Sequence, residues 1–310
     1  MIDLSQESGR TEGKSWVRGV MSRLRPAWGL SVEPTKNGNQ KRPFRTQQEL
    51  RHHYDIERSI AKRLLEADRE GRAQIYRTMY DELFAEIPHH PRLVRREDPE
   101  QTRRSIQKKI ALVKPFTNVA CVFLEFGPGD CRFAFEFSKH VRKLYAVDIS
   151  SQIGNAVPPN NVEIVLYNGY DLDLPEGTVD VVFSDQLIEH LHPEDTAFHF
   201  SLARKLLRPG GAYILTTPHA LTGPHDVSRH FSNTAECFHL KEWTFDELVP
   251  LIRKSGFRSV AGYWFLRGKR LRIPLWAFSA VERKARKLPV TKRHSYLRYI
   301  LPGVTIVAYT

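Results

Sequence analysis

Residues 122–150 read VFLEFGPGDCRFAFEFSKHVRKLYAVDIS, and the fold of the chain follows from how this stretch is parsed. Val122, Phe123, Leu124 and Phe126 form a short apolar run that Gly127-Pro128-Gly129 breaks into a tight turn. Phe133, Ala134 and Phe137 then share one helical face, and Leu144 to Val147 is a second apolar strand that ends on Asp148. Strand, glycine turn, helix and a strand closed by a carboxylate make half of a nucleotide-binding sheet. Gly127 and Gly129 let backbone approach a ligand where a Cβ would collide. Asp148, at the carboxyl edge of its strand, is suited to accept both hydroxyls of a ribose, each such bond to a charged group being worth about 1.5–3 kcal/mol.

A dinucleotide fingerprint needs a third glycine where Arg132 stands. Glu125, just before the turn, suits a cationic amino group better than a pyrophosphate. Further along, Val162 to Leu166 reads as a third strand followed by the loop Asn168-Gly169-Tyr170-Asp171, and Val179 to Ser184 as a fourth that runs into Asp185-Gln186-Leu187-Ile188-Glu189-His190-Leu191. Leu206-Leu207-Arg208-Pro209-Gly210-Gly211 leads into a fifth strand, Ala212 to Thr217.

Glu125-x-Gly127-x-Gly129 with Asp148 and the three later blocks, in this order, resembles the class I S-adenosylmethionine-dependent methyltransferases. Cys131 departs from that pattern, in which a third glycine is frequent at this position. The resemblance implies an α/β, Rossmann-like fold with a seven-stranded mixed sheet, helices on both faces and an antiparallel terminal strand. It also implies S-adenosylmethionine as cofactor, held by Glu125, Phe126, Gly127, Pro128, Gly129, Asp148 and Ile149. Asn168, Gly169 and Asp171 would meet the adenine, unless that loop is an ordinary turn, and Ser184, Asp185 and Gln186 would line the methionine end.

Outside this core the chain divides by composition. Residues 1–45 read as a flexible basic leader. Within it, Gly9 to Ser15 is one residue short of a phosphate-binding loop and follows no strand, while Trp16, Val17, Val20 and Leu24 have helical spacing. Residues 46–114 read as a helical cap that opens on the capping box Thr46-x-x-Glu49 and carries the stripe Tyr76, Tyr80, Phe84. His89 to Glu100 reads as a solvated connection and Arg103 to Lys114 as a basic helix. Residues 115–310 make up the methyltransferase domain, interrupted by an insertion at 267–302 whose helix puts Phe278, Val281, Ala285 and Leu288 on one face among basic residues. That face suits packing on the cap or a second subunit, or anchoring at an anionic membrane surface.

The chain has 310 residues, 41% of them hydrophobic, and three cysteines, Cys121, Cys131 and Cys237, without a C-x-x-C pair. A full α/β core, a reducing cytoplasmic setting and no zinc site are expected. No apolar run reaches the roughly 18 residues of a membrane span, and there is no signal-peptide core. The formal net charge of +12 divides as +7 over residues 1–110, −6 over 111–240 and +11 over 241–310. The flanks therefore favour an anionic partner or surface around an acidic core.

Methyl transfer to a hydroxyl needs a base, and histidine fits that role near neutral pH. The candidates, in order, are His225, His219, His230 and His190, with Asp226 and Arg229 as substrate contacts. Nothing in the spacing of Asp185, Asp226 and the histidines demands a metal. The histidine-rich loop and the lack of an Asn/Asp-Pro-Pro-Tyr tetrapeptide point to O-methylation of a small hydroxylated acceptor: a saccharide, lipid-linked glycan or secondary metabolite. The rival readings are an RNA methyltransferase, though no RNA-binding motif is evident, and a non-catalytic binding module.

Overall fold

The computed structural model describes residues 45–150, 156–266 and 269–310. The expectations for the leader, including its helical spacing, lie outside these residues except at Arg45. Four helices precede the sheet. Helix α1 (Gln47–Glu66) starts at the expected capping box, Thr46 Oγ1 accepting from Glu49 N while Glu49 Oε2 accepts from Thr46 N. It buries Tyr54, Ile60 and Leu64, and α2 (Arg69–Glu86) packs Tyr76, Met79 and Leu83 into the same cluster.

The segment expected to be a solvated connection instead forms a short helix, α3 (Pro91–Arg96), and the first turn of α4 (Pro99–Val113). Proline at the first helical position suits both starts, because its missing N–H is one that a helix end leaves unpaired. His90 and Asp98 cap the two helices.

The strands are β1 (Val122–Phe126), β2 (Lys143–Asp148), β3 (Val162–Leu166), β4 (Val179–Asp185), β5 (Leu207–Thr217), β6 (Ser259–Leu266), β7 (Lys269–Ile273) and β8 (Val304–Tyr309). They form one sheet in the order β3-β2-β1-β4-β5-β8-β6-β7. The first five run parallel, and β8 pairs antiparallel with both β5 and β6. The sheet thus has eight strands rather than the expected seven. The additional one, Lys-Arg-Leu-Arg-Ile, lies inside the insertion and pairs with β6 as an edge hairpin. Its alternation of charged and apolar residues suits an exposed edge, where charge discourages further pairing.

Helix α5 (Arg132–Phe137) follows the glycine turn, α6 (Pro193–Leu206) lies between β4 and β5, and α7 (Phe245–Lys254) precedes β6. The insertion adds α8 (Leu275–Arg286) and α9 (Val290–Leu297). Phe278 of α8 stacks on Phe245 of α7 at 3.9 Å and 12°, and it leaves no room for a Cβ at Gly262 of β6. The apolar face of this helix is therefore covered by its own domain. Trp276, on another face, is 73% exposed.

The cap helices are clamped to the sheet domain by a buried ion pair. Arg72 of α2 donates from Nε and Nη2 to the two carboxylate oxygens of Asp195 in α6, at 2.8 and 2.9 Å. Tyr170 Oη donates to the same carboxylate at 2.7 Å. The bidentate geometry and the third donor give the buried charges partners on both sides, without which such a pair would be costly. No helix among the described residues is long and apolar enough to cross a membrane.

Candidate active site at the carboxyl edge of the sheet

The turn after β1 has φ of 66° at Gly127 and 60° at Gly129, a left-handed backbone that glycine adopts without penalty. A Cβ at Gly127 would press Leu187 Cδ1 at 3.2 Å, and one at Gly129 would meet Arg96 Nη2 at 3.4 Å. Cys131, where the family pattern favours a third glycine, also has positive φ, 57°. The turn therefore forms with a side chain there, at a cost of roughly 1–2 kcal/mol, partly offset by burial of Cys131.

Asp148 ends β2 beside this turn. Its Oδ2 accepts from Gly129 N at 3.2 Å and its Oδ1 from Ile149 N at 2.7 Å, so the carboxylate both braces the turn and is oriented by it. Burial raises its carboxyl above the ordinary range, against the pull of these amides.

Glu125 lies beneath the turn, 1% exposed, and its Oε2 has no hydrogen-bond partner. Burial pushes its carboxyl up to about 8; Asp185, Asp148 and Asp130 act in the same direction and the Lys109 ammonium in the opposite one. Lys109 Nζ, reaching in from α4, is 3.0 Å from Asp185 Oδ2, and Asp185 Oδ1 accepts from Thr216 Oγ1.

A cavity of about 700 Å3 opens over these groups. Gly127, Pro128, Gly129, Asp148, Ile149, Gly169, Asp185 and Gln186 line one side of it. Other nominated residues lie away from the cavity. Phe126 is packed between the rings of Tyr167 and His199. Ser184 is buried and hydrogen-bonded to Tyr213 Oη at 2.7 Å. Asn168 and Asp171 close their own turn, Asn168 Oδ1 accepting from the amides of Tyr170 and Asp171 and its Nδ2 donating to Asp171 Oδ2.

The histidine candidates separate in the same way. His225 and His190 line the cavity. His225 Nε2 sits 3.1 Å from Thr222 Oγ1, which itself donates to the His219 carbonyl. Donation from Nε2 to that hydroxyl leaves the ring's acceptor lone pair on Nδ1. His190 Nδ1 donates to the Phe238 carbonyl at 2.8 Å. Burial, with the charges of His239 and Arg92, holds its imidazole well below the ordinary range and therefore neutral.

His219 is fully buried, with Nε2 donating to Glu282 Oε1 at 2.9 Å and Nδ1 accepting from Leu221 N at 3.1 Å. Both its nitrogens are engaged, and Glu282 also caps α7 by accepting from Phe245 N and Asp246 N. His230 and Arg229 are exposed and bond each other. Asp226 caps its own short helix and accepts from His239 N.

Sequence reasoning missed the part of the cavity lining that α2, α3 and α4 supply. Arg92, Arg95 and Arg96 of α3 and Arg104, Lys108 and Lys109 of α4 belong to it, and Tyr76 and Tyr80 of α2 adjoin them. The basic run was visible in the sequence, but nothing local to it announces that two helices fold over a distant glycine turn.

A parallel sheet with a glycine turn, a carboxylate closing the second strand and a cavity across the carboxyl edge defines a nucleotide-cofactor domain. Residues 124–215 match the family described as methyltransferase domain. Over 153 residues the chain is 32% identical to a probable S-adenosylmethionine-dependent methyltransferase of Mycobacterium tuberculosis, covering 48% of this chain and 53% of that protein. A probable S-adenosylmethionine-dependent methyltransferase of Mycolicibacterium smegmatis is 36% identical over 96 residues, 31% of this chain and 35% of that one. The chain spans about half the length, or less, of the curated relatives it matches.

Among solved structures, the 1,6-didemethyltoxoflavin-N1-methyltransferase of Burkholderia thailandensis, with bound 1,6-didemethyltoxoflavin and S-adenosylhomocysteine, shares the fold. It aligns with a TM-score of 0.50 at 18% identity, over 79% of this chain and 91% of that one. The chain therefore carries a class I S-adenosylmethionine-dependent methyltransferase domain.

Proposed function

We propose that the protein transfers the methyl group of S-adenosylmethionine to a hydroxyl oxygen of a small anionic acceptor, such as a phosphorylated saccharide or a lipid-linked glycan. The observation that carries this reading is one continuous cavity bounded by the Gly127–Gly129 turn and Asp148, by His225, and by the cationic wall of α3 and α4.

The residues present fit the cofactor. The left-handed backbone at Gly127 favours glycine, and the buried Glu125 Oε2 lacks a partner that an ammonium group would supply. When bound, the cofactor supplies a methyl group already activated on a sulfonium, so alignment does most of the remaining work. Asp148 would hold the ribose, Gly127 to Gly129 the adjoining backbone contacts, and Asp185 with Gln186 the methionine end. His225 would take the acceptor's hydroxyl proton, a role that typically contributes roughly 10²–10⁴-fold. Arg92, Arg95, Arg96, Arg104, Lys108, Lys109 and Arg132 line the cavity, against Asp130, Asp148 and Asp185. The cationic side chains along the cavity outnumber its carboxylates, a balance suited to a phosphate.

Calorimetric titration with S-adenosylhomocysteine, with NAD as control, tests the cofactor half. Micromolar binding of the first and none of the second is expected. A turnover screen of phosphorylated against neutral hydroxylated acceptors tests the other half, and equal rates on both would remove the anionic assignment.

A further inference from the structure

Behind the cavity wall lies a cluster that no sequence motif announced. One donor atom each of Glu189, His190 and His239 lies within 4.8 Å of the other two. Glu189 is fully buried and its Oε1 has no hydrogen-bond partner. A bare, buried carboxylate oxygen is costly unless something pairs with it. The surrounding bonds hold each side chain by its other atom. Glu189 Oε2 accepts from Thr217 Oγ1 at 2.9 Å, His190 Nδ1 donates to the Phe238 carbonyl at 2.8 Å, and His239 Nδ1 donates to Glu242 Oε1 at 2.8 Å. With Nδ1 of each imidazole so engaged, Nε2 is the atom of each that would meet an ion beside the orphaned oxygen, that of His239 giving up its proton on binding. Metal-binding histidines characteristically give their second nitrogen to a carboxylate or a carbonyl, and ligating carboxylates are themselves hydrogen-bonded.

We propose that Glu189, His190 and His239 form a binding site for one divalent transition-metal ion of the zinc class. Two imidazoles and a carboxylate are a donor set that such ions favour, and three protein ligands leave a coordination position open. Bonds of ~2.0–2.2 Å require the donors to close in by no more than about 1.5 Å, which side-chain rotation can supply. His190 and Thr217 also line the cavity, so the open position would face the acceptor. That last clause rests on the methyl-transfer reading; the binding of the ion does not.

A second cluster, His53, Glu57 and His90, is close in composition but satisfied without an ion. His53 Nε2 and His90 Nε2 both approach Glu57 Oε1, at 2.7 and 3.2 Å. Glu57 also belongs to a third group with Asp226 and Cys237, where an ion would show sulfur among its neighbours; an ion on His53, Glu57 and His90 would show two imidazoles and is separated by Glu57→Gln.

The test uses the full chain, stripped with a chelator and titrated with zinc chloride against a chromophoric competitor. One equivalent is expected to bind. Glu189→Gln and His239→Ala should each weaken binding at least 100-fold, Glu242→Gln about 10–100-fold through loss of the outer contact, and Glu57→Gln should leave it unchanged. X-ray absorption at the zinc edge of the wild-type protein should give nitrogen and oxygen neighbours only, with the scattering pattern of two imidazoles, which keeps the assignment testable if a variant fails to fold. No uptake by the folded wild-type chain, sulfur in the first shell, or loss of the ion in Glu57→Gln with retention in Glu189→Gln would overturn it. S-adenosylhomocysteine titrated into the same zinc-free samples reports separately on the methyl-transfer reading.

Discussion

Replacing Glu125 by glutamine should stabilise the protein without ligand and weaken its hold on the cofactor. In the folded chain burial pushes this carboxyl up to about 8, from an ordinary 4.5. A raised carboxyl pKa means that the folded state prefers the neutral acid. Below the unfolded value both states are protonated, and the group has no effect on stability. Between about 4.5 and 8 the unfolded chain ionises while the folded one does not, so stability falls as pH rises, by up to about 1.4 kcal/mol per pH unit. Above 8 the loss is complete. The accumulated difference is about 1 kcal/mol at pH 5 and on the order of 4 kcal/mol at pH 8.

Glutamine mimics the neutral acid at every pH, so Glu125→Gln should melt close to wild type at pH 5 and roughly 5–10 °C higher at pH 8, at about 2 °C per kcal/mol for a chain of this size. Thermal denaturation followed by circular dichroism from pH 5 to 9 measures this. The ligand supplies the converse. An ammonium group against Oε2 should ionise Glu125, so wild-type binding of S-adenosylhomocysteine near pH 7 should release close to one proton, read from calorimetry in buffers of different ionisation enthalpy. The variant should release none and bind about 10- to 150-fold more weakly, the loss of one charge-assisted hydrogen bond of roughly 1.5–3 kcal/mol. Parallel melting curves for the two proteins across this pH range would refute the argument.

Asp148→Ala removes both proposed ribose acceptors and the brace on Gly129, so calorimetry should find S-adenosylhomocysteine bound at least about 100-fold more weakly in a chain whose circular dichroism is unchanged. His225→Gln should lower kcat by roughly 10²–10⁴-fold, with cofactor affinity within about twofold of wild type; an unaltered kcat would eliminate it as the base. Arg72→Met strands the buried Asp195 carboxylate, and chemical denaturation should show a loss of about 3–5 kcal/mol. Arg104→Ala, on the cationic wall, should raise KM for a phosphorylated acceptor and leave kcat and cofactor affinity alone, a split that steady-state kinetics resolves.

The cofactor half of the cavity was legible because its chemistry is local. A turn that needs positive φ at Gly127 and Gly129 writes itself into three adjacent letters, and Asp148 sits where one helix and one strand must bring it back. The eighth strand was not legible. Lys269–Ile273 is short and basic beside an amphipathic helix, and it becomes a strand only by pairing with β6.

The histidines make the same point at the level of single side chains. His219 and His225 lie in one loop with similar neighbours in sequence. Only the burial of Glu282, carried in on the insertion, takes up the Nε2–H of His219 while His225 is left on the cavity wall. What separates the buried histidine from the cavity-lining one here is a residue about sixty positions away, a separation at which composition and spacing carry no signal. The insertion that reads in sequence as a basic appendage supplies, in the fold, the carboxylate that holds His219 in the core. Glu282→Gln should therefore disturb the packing of His219 and the start of α7, read as a lower melting temperature, while leaving S-adenosylhomocysteine affinity in calorimetry close to wild type.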